Sequence, residues 1–96
     1  NDLMAIGAMQ AAADLGKRVP DDLSDVGLTD IVLAHQFRPA LTTVRLPTAE
    51  IAARSIALAL EMVEGGTSTQ DLYVVRAPEL IVRESTGPAP SRRRRA

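Results

Sequence analysis

Two polar residues, Thr29 and Asp30, directly follow a predicted strand over Leu23 to Leu28. Ligands of open α/β folds bind beyond the carboxyl ends of strands, so this position favours contact with a small molecule. A threonine hydroxyl donates and accepts hydrogen bonds, whereas an ionised carboxylate only accepts them. A structural role is the alternative, because Asp30 is also a suitable cap for a short helix that starts at Ile31.

The other reactive residue types form no recognisable catalytic or metal-binding set. The sequence has one histidine, His35, and no cysteine, which excludes a thiolate zinc site and a cysteine nucleophile. No serine lies in the Gly-x-Ser-x-Gly elbow of hydrolases, and Gly65-Gly66-Thr67 lacks the lysine of a phosphate-binding loop. We therefore expect no enzyme, no catalytic residue, no metal and no cofactor.

Helices and strands alternate in the predicted element order, which is typical of an α/β fold with a parallel sheet. Helices are predicted at 2–15, 31–37 and 48–64, and strands at 23–28, 41–46, 72–75 and 80–82. Asn1 and Asp2 are both suitable caps for the first long helix and Thr48 for the second, and Gly16 and Gly65 stand just past the helix ends. Asp25 conflicts with full burial of the first strand.

Both long helices are apolar over too much of their circumference for a single packed face. In the first, the polar Gln10 and Asp14 share one narrow sector with Gly7. In the second, apolar residues fill roughly 200°, wider than the usual stripe of about 100°. We therefore expect both helices to be covered by further surfaces, and the chain to be part of a larger domain.

Composition and charge limit the partners. Hydrophobic residues make up 46% of the 96 positions and the net charge is −1, but Arg92 to Arg95 carry four of the eleven basic side chains. The residues before Arg92 are therefore acidic overall, whereas a nucleic-acid-binding domain has a basic face. No apolar run reaches the length of a membrane helix. We expect a cytoplasmic chain without a membrane partner, ending in a disordered tail over 87–96.

Four strings occur in a recognisable order. They are Asn1 to Ala8 (NDLMAIGA), Gly16 to Ser24 (GKRVPDDLS), Pro39 to Val44 (PALTTV) and Pro78 to Thr86 (PELIVREST). Together they resemble the carboxyl-terminal end of the lactose/galactose repressor (LacI/GalR) family of transcriptional regulators. The resemblance covers residues 1–86.

The resemblance implies an α/β fold that is part of a periplasmic-binding-protein-like, Rossmann-like effector-binding core, incomplete in this chain. Residues 1–41 would belong to the carboxyl-terminal subdomain. Residues 42–78 would supply a crossover strand, then a helix and a strand of the amino-terminal subdomain. Residues 79–86 would return to the carboxyl-terminal subdomain. The family's helix-turn-helix would lie outside this chain.

The resemblance also implies site residues and an interface. Asn1 and Thr29 match effector-contacting positions, and Asp30 stands beside them. Sugar-binding members commonly have Asp where this chain has Thr29, so the usual charge-assisted bond to a sugar is missing here. Helix packing in the family's homodimer implies dimer contacts at Ala5, Ala8, Met9, Ala12, Leu33 and Phe37, for which an intramolecular core is the alternative.

The expected function is effector sensing and dimerisation in a transcriptional regulator, usually a repressor. Its partners would be a sugar-like or other small metabolite, a second copy of the chain, and operator DNA bound through the absent domain. Two alternatives stay open: a periplasmic solute-binding protein of a sugar transporter, and an inactive fragment.

Overall fold

The structure is a computed structural model, and it describes residues 1–66 and 76–91. The elements are α1 (Asp2–Asp14), β1 (Val26–Thr29), α2 (Val32–Gln36), β2 (Thr42–Arg45), α3 (Thr48–Val63) and β3 (Glu79–Ile81). The predicted strand at 72–75 lies outside the described residues. No helix within the described ranges is long and apolar enough to cross a membrane.

The chain divides into two compact units. One consists of Asn1–Arg45 with Glu79–Ala96, and the other of Leu46–Pro78. The finer assignment of segments to two named subdomains stays a prediction.

The three strands form one sheet in the order β1-β2-β3. β1 and β2 run parallel, with Thr29 opposite Arg45 at their carboxyl ends. The expectation of a parallel sheet is wrong for β3, which is antiparallel to β2. Arg45 is the last residue of β2 and pairs with Glu79, the first residue of β3. Because the chain leaves and re-enters the sheet at the same edge, β3 must run back along β2.

α1 begins and ends as its sequence predicts. The Asn1 side-chain oxygen accepts a hydrogen bond from the Met4 N–H at 3.0 Å, which confirms Asn1 as the helix cap. After the helix, Gly16 has a φ of +70°. The Lys17 N–H then reaches back to the Ala12 carbonyl at 2.8 Å. This bond is typical of helix ends closed by a left-handed glycine.

α3 departs from the prediction at its start. Pro47 occupies the cap position, and no side chain caps the helix, so the prediction of Thr48 as cap is wrong. Thr48 already has helical backbone geometry, which a cap residue does not have. No residue of α3 is buried, and Ile56 and Met62 are 62% and 63% exposed. The apolar face predicted to need a partner is exposed in the described part of the chain.

The core lies between α1 and the α2–β2 segment. Ala5, Ile6 and Met9 of α1 pack with Ala34 and Leu41, and Val19 and Phe37 pack against this cluster. The core cluster contains no aromatic residue, in keeping with a sequence in which 2% of the residues are aromatic.

A buried carboxylate fixes α1 to the sheet. Asp2 has 0% exposure. One of its oxygens accepts a hydrogen bond from the Thr43 hydroxyl at 2.6 Å, and the other accepts one from the Ile31 N–H at 2.8 Å. The helix start, β2 and the residue before α2 are thus joined through one side chain. Gly27 leaves room for it, since a Cβ there would meet the Asp2 carboxylate and Leu41 Cδ2.

The predicted conflict at Asp25 is reduced because β1 begins one residue later. Asp25 bonds through its backbone, donating to the Ser85 carbonyl at 2.9 Å and accepting from the Ser85 hydroxyl at 2.6 Å. Its Oδ2 is buried without a hydrogen-bond partner among the described residues. Burial accordingly raises the pKa of Asp25, although a hydrogen bond from the Val26 backbone opposes the shift.

The returning segment is held to the first unit beyond β3. The Gly87 N–H donates to the Ser24 hydroxyl at 3.0 Å. Residues 92–96 of the predicted tail lie outside the described residues.

Gly27→Ala is expected to destabilise the chain by about 1–3 kcal/mol, because the added methyl overpacks the space beside Asp2. Gly7→Ala is the matched control, since a Cβ at Gly7 meets nothing within 4 Å. It is expected to stabilise α1 by about 0.5–1 kcal/mol. Urea unfolding followed by circular dichroism measures both, and equal effects would contradict the role assigned to Gly27.

Candidate functional site

The carboxyl edge of the parallel pair brings the predicted site residues together. Thr29 ends β1 opposite Arg45 of β2, and Asp30 follows. Asp2 bonds to the Ile31 N–H, which places the neighbouring Asn1 at the same edge. The elements therefore converge on one rim of the sheet.

The backbone at this rim is strained. Thr29 has a φ of +121° and Asp30 a φ of +65°. Non-glycine residues in such conformations cost on the order of 1–3 kcal/mol each and persist only where the surroundings hold them. Positive φ is least favourable for a β-branched residue such as threonine.

Two arginines hold Asp30. Its Oδ2 accepts a hydrogen bond from Arg45 Nε at 2.7 Å, and its Oδ1 accepts one from Arg83 Nη2 at 2.7 Å. The Asp30 side chain is 8% exposed, so both ion pairs are shielded from water on the acid side. This double pairing offsets the backbone strain, because it stabilises the conformation in which the carboxylate meets both guanidinium groups.

Electrostatics keep Asp30 ionised. Burial on its own raises the pKa of the carboxyl group, but hydrogen bonds and charges from Arg45 and Arg83 outweigh it and lower the pKa below its ordinary value. Asp30 is therefore a carboxylate at neutral pH, and it orients the guanidinium groups of Arg45 and Arg83.

The two arginines differ in what they offer to a ligand. The Arg83 side chain is 15% exposed and also donates to the Leu41 carbonyl at 3.0 Å, so it is part of the framework. The Arg45 side chain is 52% exposed. Only its Nε is used by Asp30. Within residues 1–66 and 76–91, the rest of its guanidinium group has no hydrogen-bond partner.

The side chains of the three predicted ligand residues are used differently at this rim. Thr29 is half-buried at the rim. Asn1 is exposed, and its side-chain carbonyl oxygen caps α1. The alternative role of Asp30 as cap of α2 is wrong, because Ile31 occupies the cap position without a side-chain bond. Both Asp30 oxygens are instead directed at arginines, so its part in ligand contact stays a prediction.

Sequence reasoning missed Arg45 and Arg83. Arg45 stands near the end of a predicted strand, which was a usable signal. Arg83 lies 53 residues from Asp30 along the chain, and no local pattern predicts that pair.

The predicted dimer residues differ in exposure and fall into three groups. Ala5, Met9 and Ala12 are 6%, 4% and 7% exposed, because this side of α1 packs inside the chain. Ala8 is exposed and Leu33 is 46% exposed. Phe37 is half-buried against the core.

In the part of the chain that the structure describes, the reactive residue types do not converge elsewhere. His35 is exposed, and among the described residues no group of three His, Cys, Asp or Glu could hold a metal ion. Ser85 is fully buried, and its hydroxyl bonds to the backbone of Thr42 and Asp25.

Comparison with known proteins identifies relatives along the whole fold. A family model described as a periplasmic binding protein-like domain matches residues 1–86. The chain is 43% identical over 95 residues to the HTH-type transcriptional regulator MalR of Streptomyces coelicolor, covering 99% of this chain and 27% of that protein. The chain thus spans about a quarter of the length of this relative.

Solved structures agree with these matches. A LacI family transcriptional regulator from Mycobacterium smegmatis superposes with a TM-score of 0.75 at 39% identity, covering 88% of this chain and 31% of that one. A LacI family regulator from Arthrobacter sp. FB24, in complex with lactose, has a TM-score of 0.70 at 31% identity, covering 91% and 33%. The predicted periplasmic-binding-protein-like α/β fold is confirmed.

Asp30→Asn is expected to lower the free energy of unfolding at pH 7 by about 2 kcal/mol, since a neutral amide leaves two arginines without their carboxylate. The lowered pKa makes this contribution complete above about pH 4, and it is lost as the pH falls through the folded-state pKa. Urea unfolding between pH 2 and 7 should therefore show the gap between the two proteins narrowing in acid.

Asp14→Asn is the control for this experiment, because Asp14 is exposed near the end of α1. We expect it to change stability by less than about 0.5 kcal/mol. A gap between wild type and Asp30→Asn that does not depend on pH would contradict the ion-pair account.

Proposed function

The chain belongs to the periplasmic binding protein-like domain family, as the resemblance to LacI-type regulators predicted, and we propose that it forms the effector-sensing and dimerising part of such a regulator. The match over residues 1–86, with 43% identity to an HTH-type regulator over 95 residues, is the observation that carries this proposal. DNA would be bound by a helix-turn-helix domain outside these 96 residues, in the cytoplasm.

The effector would bind at the carboxyl rim of β1 and β2. Asn1 and Thr29 would contact it, and Asp30 would support the rim through its two arginine pairs. A related regulator was solved with lactose, which supports a small polar molecule as the ligand class. An effector that binds more tightly to one arrangement of the two subdomains raises the population of that arrangement. The affinity for DNA then changes to the extent that this arrangement binds DNA differently from the other one.

A second copy of the chain would pack on the exposed side of α1 and α2. Leu33 is 46% exposed and Met4 72% exposed, so apolar surface remains after the core is formed. Ala8 lies on the same helix as Met4 and is also exposed. Ala5, Met9 and Ala12 would support this surface from the intramolecular side.

A periplasmic solute-binding protein is the second candidate, favoured by the description of the family itself. It shares the core fold and would have a signal peptide where a regulator has a helix-turn-helix. The coding sequence upstream of Asn1 separates the two: a helix-turn-helix supports the regulator, and a signal peptide supports the transport protein. If the chain is an inactive fragment, no small molecule will change DNA binding.

Thr29→Val is expected to weaken effector binding by about tenfold, because one hydrogen bond to the ligand is lost at nearly constant volume. The measurement is the affinity of the full-length protein for DNA upstream of its gene, titrated with lactose, sucrose, D-gluconate and D-glucose 6-phosphate. Thr48→Val is the control, since Thr48 is exposed at the start of α3. Equal responses of Thr29→Val and wild type would remove Thr29 from the site.

Leu33→Asp is expected to shift the full-length protein from dimer towards monomer, because a charge in an apolar interface is left without a partner. Sedimentation velocity measures the change, which we expect to be at least tenfold in the dimer dissociation constant. Val82→Asp is the control, since Val82 is 68% exposed directly after β3 and lies outside α1 and α2. An unchanged dimer in Leu33→Asp would contradict the proposed interface.

A further inference from the structure

The charges at the rim of β1 and β2 point to the chemical class of the effector. Two guanidinium groups, those of Arg45 and Arg83, meet one carboxylate, Asp30. Arg83 is 15% exposed and lies in the framework, whereas Arg45 is 52% exposed. The excess positive charge is therefore the one that faces solvent.

Other acids near this rim do not neutralise Arg45. Asp2 is fully buried, and its oxygens are satisfied by Thr43 and Ile31. Glu79 is the cross-strand neighbour of Arg45, but no ion pair within 4.0 Å joins them among the described residues. Arg45 is thus held by one shielded carboxylate and keeps donors for a further anion.

Orientation is the second part of the argument. A free arginine side chain loses rotamer entropy when it binds a ligand. The bond of 2.7 Å from Arg45 Nε to Asp30 reduces that loss, because Asp30 itself is fixed by Arg83. Thr29 is the partner of Arg45 in the strand register, so the two residues end their strands at the same rim.

Resting on the proposed effector site, we propose that the effector carries an anionic group, a carboxylate or a phosphate, bound by Arg45 with the hydroxyl of Thr29. A planar guanidinium pairs with either anion through two parallel hydrogen bonds. Thr29 suits this role because its hydroxyl donates to an anion without repelling it. Asp30 is a positioning residue that acts through Arg45.

The test compares three probes that differ in one group: D-glucose, D-gluconate and D-glucose 6-phosphate. Calorimetric titration of the full-length protein is expected to give at least one anion an affinity tenfold or more above that of D-glucose. The carboxylate and phosphate arms distinguish the two anions. Equal or weaker binding of both anions, or binding of none of the probes, would overturn the proposal.

Arg45→Gln is expected to weaken the bound anion by about 10- to 100-fold and to leave the affinity for D-glucose unchanged. Lys17→Gln is the matched control, because it removes one exposed positive charge beyond the opposite end of α1 from Asn1. Unchanged anion affinity in Arg45→Gln, or an equal loss in both variants, would reject the role of Arg45.

Thr29→Asp is a second variant that keeps Arg45 and places a carboxylate beside it. It is expected to lower the affinity for the anion at least tenfold and to leave D-glucose binding equal or stronger. Undiminished anion binding in this variant would also contradict the proposal. If D-glucose changes DNA affinity and Arg45→Gln has no effect, the anion proposal fails while the regulator function stands; a full-length protein that binds no DNA refutes the function itself.

Discussion

The buried carboxylate of Asp2 is the interaction on which the candidate site depends. It receives the Thr43 hydroxyl from β2 and the Ile31 N–H from the segment after β1, and it is fully shielded from solvent. A buried carboxylate is costly unless it is hydrogen-bonded, so its two partners set the position of the start of α1. Gly27 is required at this place because a side chain there would occupy the space of the carboxylate. Asn1, which caps α1, is consequently carried to the same rim as Thr29.

A second carboxylate at the rim, Asp30, is used differently. Asp2 accepts hydrogen bonds from neutral groups in the interior. Asp30 instead pairs with two arginines, of which Arg83 is 15% exposed and Arg45 is 52% exposed. As a result, the strained turn at Thr29 and Asp30 is held by the largely buried Arg83, and Arg45 is exposed to solvent. Asp2 thus positions the start of α1 at the rim, and the two arginines paired with Asp30 give the rim an excess of positive charge.

The exposed apolar residues of α3 and α1 agree with the prediction that further surfaces cover both long helices. α3 has no buried residue, and Val63 is 83% exposed. On α1, Ala5, Ile6 and Met9 pack in the core, whereas Met4 and Ala8 are exposed. Matched regulators are about four times longer than the part of them that this chain covers.

The sequence by itself determined the helices, the ends of α1 and the placement of Thr29 and Asp30 after a strand, because caps, glycines and apolar periodicity act between near neighbours. Its ordered strings also predicted the family. Only the tertiary structure decided that β3 runs antiparallel, that Met9 belongs to the core, and that Asp30 binds Arg45 and Arg83 instead of capping α2. These features join residues 15 to 53 positions apart, and such pairings depend on how the sheet closes, which no local pattern encodes.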